Sequence, residues 1–229
     1  DFGREGLLET IKILNKNGII TVGAGDNIEK AQKPLIIEKN KKRILILNYA
    51  DVSSGVPLSW KADKNKAGVN LLTLPFPYFI SQRFDFVIFS IHWGPNWGYE
   101  IEKEQRKFAQ KLIDESNVDI VFGHSSHHFK GIETYKGKII IYGAGDFIND
   151  YEGIEGKEEF RGDLVLGYVI ETAAKKIKNL TLFPFRIKNF RLNYCSQEEL
   201  NWIFNTLKRE SKIDGSFKKK EKKIILRLS

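Results

Sequence analysis

Two short apolar runs end alike and bracket an amphipathic stretch, and this arrangement restricts the chain's folding more than any other feature. Phe84-Asp85-Phe86-Val87-Ile88-Phe89-Ser90-Ile91 runs into His92-Trp93-Gly94, and Val118-Asp119-Ile120-Val121-Phe122 runs into Gly123-His124. Runs of this length, rich in β-branched and aromatic residues, are buried strands. Between them, Glu102 to Glu115 carries Phe108, Ala109, Leu112 and Ile113 at helical spacing. A strand–helix–strand unit is parallel and right-handed, so both strand ends arrive at one rim. Ligands of open α/β sheets bind outside the carboxyl ends of the strands.

All four histidines of the chain sit at these two ends, His92 in the first turn and His124, His127 and His128 in Gly-His-Ser-Ser-His-His. Neutral imidazole is the commonest metal ligand among side chains, and this concentration points to a metal-dependent site. His92, His124 and His127 are the candidate ligands, because the step from His124 to His127 sets two imidazoles on one turn. His128 points elsewhere on an extended backbone and ranks below them, with Asn96 and Asp146, as a candidate substrate contact. For any one histidine, a hydrogen-bonded structural role at a strand end is the plainer reading; four at two matching ends weaken it. Trp93 and Trp97 are expected to pack against the adjacent loop, and Asp146 and Asn149 to hydrogen-bond an imidazole or shape a turn. Gly23-Ala24-Gly25 offers backbone N–H groups to an anion, a weak signal alone.

Other chemistries fare worse. Ser125 and Ser126 lie in no Gly-x-Ser-x-Gly elbow, no complete phosphate-binding P-loop is present, and Cys195, the lone cysteine, has no histidine or cationic neighbour in sequence. A half-buried structural thiol is its default role. Three histidines also leave a binuclear site short of carboxylate and amide ligands.

Elsewhere, helices are expected at about 3–16, after Asp26 or Asn27 as N-cap, and at about 197–208. Strands are expected at 19–22, 35–38, 43–47, 131–135, 138–142, 164–171, 179–183, 187–192 and 224–226, with a long ordered loop over 50–83 marked by prolines 75 and 77. The class is α/β with mixed sheets, and 229 residues suit a single domain spanning 1–229. The net charge of +8 raises nucleic-acid binding, but the lysines are scattered. The densest run, Phe217-Lys218-Lys219-Lys220-Glu221-Lys222-Lys223, is better explained as a solvated tail or exposed hairpin, so no nucleic-acid partner is assigned. No apolar run reaches the roughly 20 residues that span a bilayer. A chain without methionine that opens at Asp1-Phe2-Gly3 is expected to be a fragment or processed form, with membrane association only through a missing N-terminal segment.

The motifs in order resemble those of the CapA family of capsule or poly-γ-glutamate synthesis proteins, relatives of calcineurin-like metallophosphoesterases. Gly123-His124-Ser125-Ser126-His127-His128 continues through Gly131-Ile132-Glu133-Thr134-Tyr135 to Ile141-Tyr142-Gly143-Ala144-Gly145-Asp146-Phe147. This follows the family's Gly-His-His-Pro-His, Ile-Glu-x-Tyr and Ile-Tyr-Ser-Leu-Gly-Asn-Phe elements. His92-Trp93-Gly94 looks like its His-Trp-Gly turn, and Gly18-Ile19 through Gly23-Ala24-Gly25 like its Gly-Ile…Gly-Ala-Gly stretch. Ser125-Ser126 in place of His-Pro, and Gly-Asp-Phe in place of Gly-Asn-Phe, imply a subgroup with its own substrate preference. The resemblance implies a calcineurin-like metallophosphoesterase fold, mixed β-sheets packed as a sandwich flanked by helices, here lacking its N-terminal part and exposing a sheet edge. It also implies a binuclear centre of divalent ions (Mn, Fe or Zn), half of whose ligands lie upstream of Asp1, so that this fragment alone binds metal poorly. The implied function is metal-dependent hydrolysis of a phosphate ester or amide, on an anionic polymer or a phosphorylated small molecule, with a cell-envelope location. The alternative is a non-catalytic binding or assembly factor for an anionic cell-surface polymer.

Overall fold

A computed structural model describes residues 2–74, 84–150, 154–174 and 176–228; the expected loop marked by prolines 75 and 77 lies partly outside them. In chain order the elements are α1 (Gly3–Lys16), β1 (Ala24–Gly25), α2 (Ile28–Gln32), β2 (Leu35–Lys39), β3 (Lys42–Ala50), β4 (Gly68–Val69) and β5 (Phe86–His92). There follow α3 (Lys103–Ser116), β6 (Ile120–His124), β7 (Ile132–Tyr135), β8 (Lys138–Ile141), β9 (Leu164–Ala173), β10 (Lys176–Lys188), β11 (Arg191–Tyr194), α4 (Gln197–Glu210), β12 (Phe217–Lys220) and β13 (Lys223–Arg227).

The central sheet has the order β2-β3-β5-β6-β8-β7. Its four inner strands β3, β5, β6 and β8 are parallel, and β2 and β7 close the edges antiparallel. The expected β5–α3–β6 unit is therefore present. A second, antiparallel sheet is built on the long strand β10, which pairs β9 along one edge and β13 and then β11 along the other. The class is mixed α/β.

Alternation along the strands sends successive side chains to opposite faces, and the central sheet is apolar on both. One face, with Phe86, Ile120, Ile139 and Ile141, shares a core with Leu164, Leu166, Leu180, Leu182, Ile224 and Leu226 of the second sheet and with Leu200, Ile203 and Leu207 of α4. The other, with Val87, Phe89, Ile91, Val121 and Ile140, packs on Ala109, Leu112 and Ile113 of α3. Helix α3 stops where Asn117 adopts φ 54° and returns its N–H to the Leu112 carbonyl, the left-handed cap that asparagine tolerates. Helix α4 opens on a capping box between Ser196 and Glu199.

A buried carboxylate ties α3 to the far edge of the sheet. Glu133 of β7 is 1% exposed and accepts from the Arg106 guanidinium, from Gln110 Nε2 at 2.7 Å and from Tyr142 OH at 3.0 Å. Arg106 also lies over the Tyr142 ring, 5.4 Å from its centroid.

Two expected strands are corrected. Residues 19–22 form none: Ile19 and Ile20 stand 53% and 66% exposed, and the Val22 carbonyl accepts from the Asn48 side chain instead of a ladder partner. Residues 187–192 are not one strand but a turn between β10 and β11. There Asn189 and Phe190 take φ 53° and 54°, the left-handed pair a two-residue hairpin requires, without the glycine that usually announces it. The lysine run is an exposed hairpin, β12–β13, as one of the two expected forms.

Candidate metal centre

The two strand ends meet side by side. In the parallel register of β5 and β6, His92 pairs with His124 and Ser90 with Phe122, so the imidazoles leave the sheet on one face. Their Nδ1 atoms lie 3.1 Å apart. Ser90 Oγ sits 3.2 Å from His124 Nε2. With Ser90 accepting from Nε2–H, His124 presents a lone pair at Nδ1; His92 Nδ1–H donates to it in this pair, and with its proton on Nε2 instead His92 would present a second lone pair to a shared cation. Burial holds both rings neutral: it lowers the pKa of His92, with the charge of nearby His127 second, and pushes His124 down to about 4, with His92 second. Neutral imidazole is the ligating form. The serine was not singled out in the sequence; its place two residues before His92, hence on the same face, is the signal that finds it.

Glycines make the approach possible. A Cβ on Gly123 would collide with the Trp93 indole and with the Tyr142 and Ile141 carbonyls, so only glycine lets β6 pass there. Trp93 is 5% exposed and donates to the Tyr142 carbonyl at 3.0 Å, the packing role expected of it. Gly94 turns at φ 72° and its N–H donates to Ser53 Oγ at 2.9 Å.

The second cluster divides. His127 is fixed by Asp146, whose two carboxylate oxygens lie 3.1 Å from Nδ1, and Asn149 Nδ2 supports Asp146 at 3.1 Å. A carboxylate on Nδ1 fixes the ring's tautomer and orientation, the pattern of histidines bound to metals. Asn96 latches the two turns together: its carbonyl accepts from His127 N–H at 3.1 Å and its Oδ1 from Ser125 Oγ at 3.4 Å. Ser125 carries this at φ 139°, a strained value for a side-chain-bearing residue. His128 is fully buried, stacked on Trp97 and Phe160 with Tyr99 edge-on. Burial pushes its pKa down to about 4, against the Phe129 carbonyl that accepts from its Nδ1.

Among the described residues, no three His, Cys, Asp or Glu side chains converge as a complete metal cage. The structure brings His92 and His124 together and sets His127 within electrostatic reach of His92. Cys195 is no rival nucleophile, since burial, then Glu199 and Asp163, push its thiol up to about 12. The Gly23-Ala24-Gly25 stretch pairs with Gly68–Val69 through β1 and β4.

Comparison with known proteins places these motifs. The family model of the bacterial capsule synthesis protein PGA_cap matches residues 1–151. A protein described as a probable polyglutamine synthesis accessory protein of Mycobacterium tuberculosis is 39% identical over 229 residues, covering 94% of this chain and 60% of that protein. The PGA biosynthesis protein CapA of Bacillus subtilis is 30% identical over 66% of this chain and 40% of its own length. The capsule biosynthesis protein CapA of Bacillus anthracis is 22% identical over the whole chain and 56% of its own. The chain thus spans less than two-thirds of these relatives' length. With two-thirds of it matched by the family model and that level of identity to its relatives, the chain belongs to the bacterial capsule synthesis protein family, PGA_cap.

Proposed function

We propose that this chain supplies His92, His124 and His127 to a divalent-metal centre of the metallophosphoesterase type. The protein containing it would act as a metal-dependent hydrolase in capsule or polyglutamate synthesis, on a phosphate ester or an amide. The observation that carries the reading is the His92–His124 pair. Metal–nitrogen bonds of about 2.0–2.1 Å put two ligands of one ion about 3 Å apart, and the two Nδ1 atoms stand at 3.1 Å with both rings held neutral. His92, His124 and His127 would hold a divalent cation there, and the chemistry it would supply is Lewis acidity toward a phosphoryl or carbonyl oxygen. The chain's own residues do the positioning: Ser90 orients His124, Asp146 orients His127, and Asn96 holds the two turns in register. The mixed α/β sheets agree with such a fold, and the names of the relatives point to capsule or polyglutamate synthesis; the Mn, Fe or Zn identity rests on the donor chemistry alone, which all three accept.

Bound metal measured per mole of the gene-encoded protein tests this. His92→Ala and His124→Ala are each expected to lower the stoichiometry, and an unchanged value in both would sink the assignment.

A second reading, a non-catalytic factor that binds an anionic cell-surface polymer, is favoured by the β12–β13 hairpin. Lys218, Lys219, Lys220 and Lys222 are exposed there, and no carboxylate pairs with them among the described residues, whereas Lys30, Lys107 and Lys136 each pair with one. Polyglutamate binding that weakens steeply with salt, with no turnover and no metal requirement, would select it.

A further inference from the structure

We propose that Asn48 is a third protein donor of the centre, its Oδ1 serving the same divalent cation as His92 and His124; this rests on the metal-centre reading above. In the parallel register of β3 and β5, Asn48 pairs with Ser90 and Ala50 with His92. Paired residues of parallel strands leave the sheet on the same side, so Asn48, Ser90, His92 and His124 form one polar patch at the carboxyl rim. Ile44, Ile88 and Phe122 continue the same face below it, packed on the shared core.

The amide is held in one orientation by chemistry. Asn48 Nδ2 donates to the Val22 carbonyl at 3.1 Å, and a carbonyl only accepts, so the nitrogen must lie on that side and Oδ1 on the other. Gly23 presses on the amide from a backbone at φ +89°, where a Cβ would collide with Nδ2. Asn70 completes the clamp: its N–H donates to the Gly23 carbonyl at 2.8 Å and its Nδ2 to the Asn48 carbonyl at 2.9 Å. The Gly23-Ala24-Gly25 stretch thereby acts on a side chain of the rim, with no need for an anion. Asn48 Oδ1 itself is shut off from solvent and has no hydrogen-bond donor among the described residues. A buried acceptor without a donor is costly, and an amide oxygen is a hard ligand that divalent cations accept beside imidazole. Asn70 Oδ1 is likewise without a donor. However, Leu71 bridges Ala50 on the edge of β3 opposite β5, which puts Asn70 a strand further from the histidines.

The plainer role for Asn48 is a tie between residues 22–25 and the sheet, and two substitutions separate the roles. Asn48→Ala loses both amide atoms, whereas Asn48→Asp loses the donor to Val22 but keeps an oxygen. Co²⁺ alone is the probe, titrated into the gene-encoded protein after chelation, with d–d absorption and calorimetry as readouts. Asn48→Ala is expected to weaken Co²⁺ binding about 10- to 100-fold and alter the d–d bands, while Asn48→Asp binds as tightly as the native protein or more so. Asn48→Ser, too short to reach, should follow Asn48→Ala and serves if the alanine variant does not fold. Native affinity in Asn48→Ala, or equal losses in the alanine and aspartate variants, would overturn the role of Asn48 while leaving the histidine centre standing. Absence of Co²⁺ binding in the native protein, or its persistence in His92→Ala and His124→Ala, would overturn both.

Discussion

Replacing Arg106 by methionine is the sharpest probe of how the central sheet is held to its helix. The substitution keeps an apolar stem and removes the guanidinium, which pairs with Glu133 and lies over the Tyr142 ring. Glu133 then remains 1% exposed with two neutral donors, Gln110 Nε2 and Tyr142 OH. Breaking a buried pair by removing one partner costs roughly 3–5 kcal/mol. The Arg106 side chain is itself 31% exposed, and water reaching that side reduces the figure to about 2–4 kcal/mol. Glu133→Gln keeps a hydrogen-bonding group for each neighbour and should cost only about 1 kcal/mol. In Arg106→Met/Glu133→Gln the isolated charge is gone, so the double variant should be more stable than Arg106→Met alone. A coupling of about 2 kcal/mol is expected from a double-mutant cycle. Urea unfolding at pH 7 measures all four proteins, and the Arg106→Met midpoint should fall by about 4–16 °C in a thermal scan. Additive losses, with coupling below about 0.5 kcal/mol, would refute the idea that this ion pair is energetically buried.

Cys195 should be unreactive in the folded protein. A thiol pushed up to about 12 from 9.0 has its thiolate suppressed about 1000-fold at pH 8. Partial exposure reduces the expected slowing of disulfide-reagent labelling, folded against urea-unfolded, to at least about 100-fold; equal rates would contradict it. The same shift has a sign for stability: the folded thiol holds its proton longer, so stability falls as pH rises from about 9 toward 12, and Cys195→Ser should flatten that part of the profile. Gly123→Ala forces a methyl into the Trp93 indole and two carbonyls and should cost at least about 1–3 kcal/mol in urea unfolding, whereas Gly137→Ala meets nothing within 4 Å and should lose only what its φ of 72° demands.

Legibility in the sequence followed the range of the forces involved. The β5–α3–β6 unit was readable because periodicity and chain connectivity, both local, determine it, and the paired rim histidines came with it. The α4 start was readable for the same reason, as Ser196 and Glu199 form a box three residues apart. The strand expected at 19–22 failed because four β-branched residues make a strand only when another strand offers an edge. The turn at Asn189-Phe190 was hidden because the hairpin imposes left-handed φ on a phenylalanine, a residue without local preference for it. For the candidate site, sequence offered His92, His124, His127, Asn96 and Asp146 as candidates but could not say which touch. The Asp146–His127 contact spans 19 positions and the Asn48–Ser90 register spans 42.

What sequence alone determined, then, is the presence of two parallel strands delivering histidines to one rim, and the kinship of the motifs that carry them. Tertiary structure decided the division of labour. Side-by-side registration of β5 and β6 brought two imidazole nitrogens to 3.1 Å, closing of the aromatic residues around His128 buried that ring, and the alignment of β3 put a clamped amide next to the serine that orients His124. Those outcomes depend on which strands become neighbours and in what register, and such pairings are settled by the burial of whole faces, which no short stretch of sequence encodes.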